Sequence, residues 1–189
     1  MSATNRSAVR QPDDFYETPA WVVHALLATG DVSNRFCDPC AGTGAILRAA
    51  RDYSAAYTPW GLELDAGRSR EDSAIVCGDF FASTFSMHEI VMNPPYRQAL
   101  AFVDHALRTI VCGVAMRPLG RVPRVHALLR LAFLESRSRA SWLKENMPAK
   151  VRVLSKRPSF TGNGTDACAY AWFTWEPFSE TRTTELTIL

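Results

Sequence analysis

The run Arg35-Phe36-Cys37-Asp38-Pro39-Cys40-Ala41-Gly42-Thr43-Gly44 passes from an apolar strand end through a loop of small residues into a helical stretch, Ala45-Ile46-Leu47-Arg48-Ala49-Ala50. A strand, a glycine loop and a helix in that order constrain the fold more than any other feature of the chain. Gly42 and Gly44 allow dihedrals and a close ligand approach that side chains would block, and the helix offers free N–H groups at its start. The loop has neither the spacing nor the lysine of a Walker sequence, and it does not fit the dinucleotide glycine pattern. An adenosine ligand without a pyrophosphate fits it better.

Apolar runs with alternating periods surround this unit. They predict a helix from near Thr18, a strand around Asn34 to Asp38, a helix after Gly44 and a strand through Pro59 to Leu64. Strands at Ser73 to Cys77 and Glu89 to Met92 follow, then a helix from Gln98 to about Thr109 and a strand at Thr109 to Ala115. Strand and helix in alternation imply a parallel sheet. Lys150 to Ser155 and Asp166 to Trp175 read as two further strands. The glycines and asparagine of Phe160 to Thr165 mark a turn between them, so they are expected as an antiparallel pair at one edge. Between Met116 and His126 prolines and a glycine interrupt the pattern. If Ala127 to Phe133 is instead the true strand, Val111 to Ala115 must pair differently.

A second feature carries chemistry. In Ile90-Val91-Met92-Asn93-Pro94-Pro95-Tyr96 an apolar run ends on an amide, two prolines and an aromatic ring. Proline fixes its own φ and donates nothing to a ladder, so Pro94 and Pro95 end the strand and hold their carbonyls in place. The side-chain carbonyl of Asn93 and the main-chain carbonyl of Pro94 supply two acceptors for one NH2 group, and Tyr96 offers a face to the ring that carries it. The competing reading is a proline-rich turn after a strand.

In order and spacing these motifs resemble the class I S-adenosylmethionine-dependent amino-methyltransferases, and more narrowly the adenine N6 methyltransferases of DNA found in phages and prophages. The resemblance runs through Tyr16-Glu17-Thr18-Pro19, Asp38 to Gly44, Trp60-Gly61-Leu62-Glu63-Leu64-Asp65, Gly78-Asp79-Phe80-Phe81, Asn93-Pro94-Pro95-Tyr96, and Arg157 to Phe160 with Ala169 to Phe173. It implies an α/β, Rossmann-like class I methyltransferase fold with a mostly parallel sheet and a C-terminal antiparallel strand pair. It also implies S-adenosylmethionine as cofactor, bordered by Tyr16, Thr18, Asp38, Pro39, Ala41, Gly42 and Gly44, with Glu63 on the ribose and Asp79 and Phe80 on the adenine. Asp65 competes with Glu63, Asp79 also fits an Asx turn, and Thr18 with Pro19 also fits a helix start. Asn93, Pro94 and Tyr96 become the catalytic residues, and Asn93, Pro95, Tyr96 and Phe160 those that meet a flipped base.

Charge narrows the partner. The chain carries a formal net charge of +2. The stretch from Arg117 to Arg157 nevertheless holds Arg117, Arg121, Arg124, Arg130, Arg137, Arg139, Lys144, Lys150, Arg152, Lys156 and Arg157 against only Glu135 and Glu145. Such a run suits phosphates, so DNA is the expected partner. The same tetrapeptide also resembles that of glutamine N5 methyltransferases of proteins and of adenine methyltransferases of RNA. A degenerate fold that binds without turnover is the non-enzymatic alternative. No separate target-recognition domain is evident, so any specificity is expected from short loops, or from a partner chain or homo-oligomer.

Length and composition complete the expectations. A chain of 189 residues with 47% hydrophobic content can bury one sizeable core. Residues 1–12 are expected to be disordered, 13–178 to form a single domain and 179–189 a tail. No apolar run reaches bilayer length and no leader is evident at Met1, so the expected compartment is the cytoplasm of a bacterial or phage-infected cell. Cys37 and Cys40 form a C-x-x-C pair, but zinc needs two further ligands and His24, His88, His105 and His126 stand alone, so no metal is expected.

Overall fold

The computed structural model describes residues 16–83, 87–112, 122–160, 166–179 and 183–189. The expectations for residues 1–12 and for the turn at 161–165 lie outside them. Helix α1 spans Ala20–Leu27, followed by β1 at Cys37–Asp38, α2 at Ala45–Tyr53, β2 at Trp60–Glu63, β3 at Ile75–Cys77 and β4 at Glu89–Met92. Helix α3 spans Ala99–Cys112, β5 Arg124–Arg130, α4 Ala140–Glu145, β6 Lys150–Val153, β7 Tyr170–Trp175 and β8 Glu185–Ile188. One sheet takes these strands in the order β3-β2-β1-β4-β5-β7-β6-β8. Strands β1 to β5 run parallel, β7 is antiparallel to both β5 and β6, and β8 is parallel to β6. Among the described residues no helix is long and apolar enough to cross a membrane.

The two-residue period of the strands divides the core. Ile90, Met92, Val125, Ala127, Leu129, Ala171, Phe173 and Trp175 pack in one layer, to which α3 contributes Phe102, Val103, Ala106, Leu107 and Ile110. Val91, Leu128, Tyr170 and Trp172 pack in the other, with Val22, Val23, Leu26 and Leu27 of α1 and Ile46, Ala49 and Ala50 of α2. Burial on both faces explains why β4, β5 and β7 read as near-continuous apolar runs. The indole N–H of Trp172 donates to the Val22 carbonyl at 2.9 Å, which ties α1 to the sheet.

Some expectations need correction. No strand begins at Thr109, because α3 continues through Cys112, and residues 113–121 lie outside the described part. Phe102, Val103, Ala106, Leu107 and Ile110 recur at helical spacing and keep one face on the sheet. Thr109, β-branched and a weak helix former, is accommodated because its hydroxyl donates to the His105 carbonyl at 2.8 Å. The strand beside β4 is β5, so Arg124 to His126 belong to the sheet rather than to an irregular segment. Strands β6 and β7 do pair antiparallel, but they are not the edge. Within 179–189, Glu185–Ile188 forms β8 and pairs with β6, leaving Leu186 and Ile188 exposed on the outermost strand.

The basic stretch is also rearranged by folding. Arg152 is buried and bonds Asp31 and, at 3.2 Å, the Thr174 hydroxyl; Lys150 bonds the same Asp31 at 2.8 Å. Arg124 donates to Glu176 at 2.8 Å and to the Asp31 carbonyl at 2.8 Å. His126 joins this cluster through Thr174 at 3.0 Å and Glu89 at 3.2 Å. Desolvation raises the Asp31 carboxyl, but Lys150 and Arg152 outweigh it and hold the group below its ordinary range. Arg124, Lys150 and Arg152, which read as surface charge, therefore belong to a partly buried ionic cluster whose acids come from elsewhere in the chain. Arg137, Lys144, Lys156 and Arg157 remain exposed.

Candidate active site

A cavity of about 580 Å³ opens beyond the carboxyl ends of β1, β2, β3 and β4. The sheet order reverses between β1 and β4, the place where open α/β sheets leave a crevice for ligands. Its wall takes Asp38, Pro39 and Ala41 after β1, Glu63, Leu64 and Asp65 after β2, Gly78 to Phe81 after β3, and Asn93, Pro95 and Gln98 after β4, with Tyr16, Glu17 and Thr18 from the chain before α1.

The glycine loop is shaped by backbone constraints. Gly42 and Gly44 have φ of 57° and 91°, the left-handed region. A Cβ on Gly44 would also lie 3.0 Å from the Asp72 carboxylate and 3.2 Å from Ile75. Gly61 of β2 lets the loop come close, since a Cβ there would stand 2.6 Å from that of Ala41. Gly42 and Gly44 thus shape the wall without lining it. Asp38 is only 2% exposed and accepts the Cys40 N–H at 3.1 Å. Burial pushes its carboxyl up to about 7, against the partly opposing bonds from Cys40. A buried carboxylate poised near neutrality is suited to a cationic ligand, which would favour its charged form.

Glu63 accepts the Gly42 N–H at 2.8 Å through Oε2 and the Asp65 N–H at 3.0 Å through Oε1. Oε1 also lies 3.7 Å from the Arg68 guanidinium, so Oε2 is the oxygen with a lone pair left for a hydroxyl. The competitor, Asp65, spends Oδ1 on the N–H groups of Gly67 and Arg68 at 2.8 and 2.9 Å, which closes the turn leading into the 3-10 segment Arg68–Glu71. Asp79 similarly accepts the Phe81 N–H at 2.9 Å, so the Asx turn is real, and the residue still lines the cavity. Phe80 is mostly core: its ring stacks 5.7 Å from Phe102 and meets His105 edge-on at 4.6 Å. Phe81 and Leu64 also line the cavity and are 41% and 72% exposed. Sequence reasoning missed both. For Leu64 the available signal was an apolar side chain directly after the acidic end of β2; Phe81 had none, because the 3-10 turn Phe80–Ala82 that turns Phe80 inward and Phe81 outward is not marked in the sequence.

Asn93 is the best-defined group of the site. Its amide nitrogen donates to the Tyr16 carbonyl at 3.1 Å and to the Thr18 hydroxyl at 3.0 Å. Both N–H bonds are thus used, and Oδ1, buried, has no partner among the described residues. Thr18 serves Asn93 instead of capping: Pro19 occupies the N-cap position of α1, without a side-chain cap bond. The N-terminal element and the tetrapeptide after β4 are therefore one unit. Pro94 is buried and does not line the cavity, whereas Pro95 does.

Tyr96 lies beside the cavity in an aromatic cluster. Tyr16 is nearly parallel to it, 6.3 Å away at 20°, and Phe160 is edge-on at 6.4 Å and 65°. Phe160 lines a smaller cavity of about 390 Å³, which shares Glu17, Thr18 and Ala45 with the main one. Burial pushes the Tyr96 hydroxyl well above its ordinary range, with Tyr170 close by.

No protein-family model matches this chain. No curated protein matches it either. Solved structures do resemble it. The methyltransferase subunit of a type I restriction-modification system from Streptococcus thermophilus superposes with a TM-score of 0.62 at 15% identity over 92% of this chain and 47% of that one. A putative class I S-adenosylmethionine-dependent methyltransferase from Listeria monocytogenes gives 0.63 at 12% identity, covering 97% of this chain and 68% of that one. A putative RNA methyltransferase from Pyrococcus horikoshii gives 0.57 at 13%, covering 88% and 87%. The chain spans about half the length of the type I subunits it matches. A parallel sheet reversed between β1 and β4, closed by an antiparallel β7, and these likenesses agree: the chain has the class I methyltransferase fold.

Proposed function

We propose that this protein transfers a methyl group from S-adenosylmethionine to the N6 amine of adenine in DNA. The observation that carries the reading is Asn93, whose N–H bonds are both committed to Tyr16 and Thr18 so that a buried, unpartnered Oδ1 is left at the wall of an adenosine-sized cavity. S-adenosylmethionine, when bound, supplies an electrophilic methyl on a sulfonium. Glu63 would hold its ribose, Leu64 and Phe81 would cover its adenine with Asp79 at the ring edge, and Asp38 would meet its cationic methionine end.

The target N6 lone pair is delocalised into the ring and is a poor nucleophile. Asn93 Oδ1 would accept one of its N–H bonds and the main-chain carbonyl of Pro94, a residue set behind the cavity wall, the other, which favours a more pyramidal nitrogen and stabilises the positive charge that develops on it. Tyr96 supplies a stacking face for the base, with Phe160 or the nearly parallel Tyr16 as the opposite wall. Because Asn93 is fixed before the base arrives, positioning carries much of the rate. Recognition of DNA beyond the flipped base falls to Arg137, Lys144, Lys156 and Arg157, which are exposed, and to a partner chain or a second copy. A second reading, adenine in RNA, is favoured by the likeness to a putative RNA methyltransferase that this chain nearly spans.

The test is incubation with labelled S-adenosylmethionine and unmethylated DNA, RNA or protein in parallel, followed by mass spectrometry of nucleosides and amino acids. N6-methyladenine from DNA is expected. Product in RNA or protein alone would overturn the substrate, and full activity of Asn93→Ala would overturn the mechanism.

A further inference from the structure

Arg130 closes β5 and lines neither of the two cavities. Its guanidinium carbon stands 4.8 Å from the centroid of the Tyr96 ring. Its Nε donates to the Tyr170 hydroxyl at 3.1 Å, and that hydroxyl donates to Asp166 Oδ2 at 2.6 Å. Asp166 Oδ2 in turn lies 3.9 Å from Arg130 Nη2, so guanidinium, phenol and carboxylate close a small ring. The scaffold is rigid: Arg130 and Tyr170 are direct register partners of β5 and β7, and Tyr170 is wholly buried. Its own ring also touches Tyr96, with centroids 5.6 Å apart.

A stability contact would need only the ion pair with Asp166. This arrangement does more, because it orients the flat guanidinium while its charge lies within cation–π range of Tyr96. We propose that Arg130 is a positioning residue, which fixes the Tyr96 ring and through it the target base, with Tyr170 and Asp166 holding the guanidinium in place. The inference rests on the reading that Tyr96 stacks on that base. Two physical effects follow. The ring loses rotational freedom before the base enters, which reduces the ordering cost at binding. The cation draws on the π density of Tyr96 and makes that ring a better partner for an electron-rich aminopurine. A lysine cannot replace it, since an ammonium lacks the planar fork that meets the phenol edge-on while covering the ring.

The experiment compares the parent chain with R130K, R130M, Y170F and the R130M/Y170F double variant on unmethylated bacterial genomic DNA. Thermal melting and calorimetric binding of S-adenosylmethionine are measured beside kcat and KM. R130K and R130M are expected to bind the cofactor within about twofold of the parent and to lose roughly tenfold in kcat/KM for DNA, the size of a partly desolvated cation–π contact. Y170F keeps the ring, frees the guanidinium and loses severalfold, and the double variant is no worse than R130M alone. Parental kcat/KM in R130M or R130K, or losses that add in the double variant, would overturn the role. If R130M does not fold, R130K and Y170F carry the test. A parent chain that methylates no adenine in DNA refutes the reading of the site and takes the role of Arg130 with it, whereas an active parent matched by R130K and R130M refutes that role alone.

Discussion

Asp38→Asn separates the cost of a buried charge from its use. The Asp38 carboxyl stands at about 7 in the folded chain against 3.8 for a free aspartate, first because of burial. A carboxyl raised on folding binds its proton more tightly in the native state, so its contribution favours folding below the unfolded value and is lost as pH rises through the window between 3.8 and about 7. At about 1.4 kcal/mol per unit, roughly three units amount to about 4 kcal/mol at pH 8. Asparagine imitates the protonated acid and keeps an oxygen for the Cys40 N–H. Urea denaturation at pH 5, 6, 7 and 8 should show the variant increasingly more stable than the parent, approaching that figure at pH 8. Asp31, Asp72 and Glu89, all held below their ordinary range, tilt the curve the opposite way, but they are common to both proteins and cancel in the difference. Calorimetry should show the complementary loss. S-adenosylmethionine binds the parent with proton release below pH 7 and binds the variant at least tenfold more weakly, without that pH dependence. A variant less stable than the parent at pH 8, or a stability difference flat with pH, would refute the buried-charge account.

Other perturbations probe separate parts of the site. Thr18→Val removes one acceptor of the Asn93 amide; a lost hydrogen bond of about 1 kcal/mol should lower kcat about fivefold with cofactor affinity nearly unchanged, read by steady-state kinetics and calorimetry. Leu64→Ala should leave stability within about 0.5 kcal/mol because the side chain is exposed, yet weaken cofactor binding severalfold by calorimetry. Asp31→Asn leaves the buried Arg152 and its neighbour Lys150 without their carboxylate, and should cost about 3 kcal/mol in denaturant melts with S-adenosylmethionine affinity unchanged. Protonation of Asp31 acts in the same direction, so the parent loses this stabilisation as pH falls through the lowered folded value, and Asp31→Asn does not.

The division between what could be read and what could not follows the range of the forces. Glycine in the left-handed region and proline at a strand end are decisions of a few neighbouring atoms. For that reason Asp38 to Gly44 and Asn93 to Tyr96 were legible, and their positions along the chain placed both at the carboxyl ends of adjacent strands. The continuation of α3 past Thr109 was less visible, because β-branched residues favour strands locally and only the packing of Ile110 on the sheet decides for helix. Strand β8 escaped for a related reason: Glu185–Ile188 alternates polar and apolar residues, but over four residues only, and β6 supplies the edge that makes it a strand.

By itself, the sequence determined the alternating α/β order, the glycine loop and the rigid polar strand end, since each is imposed by local sterics. Only the tertiary structure decided that Thr18 orients Asn93, that Leu64 and Phe81 face the cavity, and that Arg124, Lys150 and Arg152 are paired in a partly buried cluster rather than free surface charge. Those outcomes join residues far apart in the chain, as with Asp31 and Arg152, and their energies depend on how much water folding removes from between the partners.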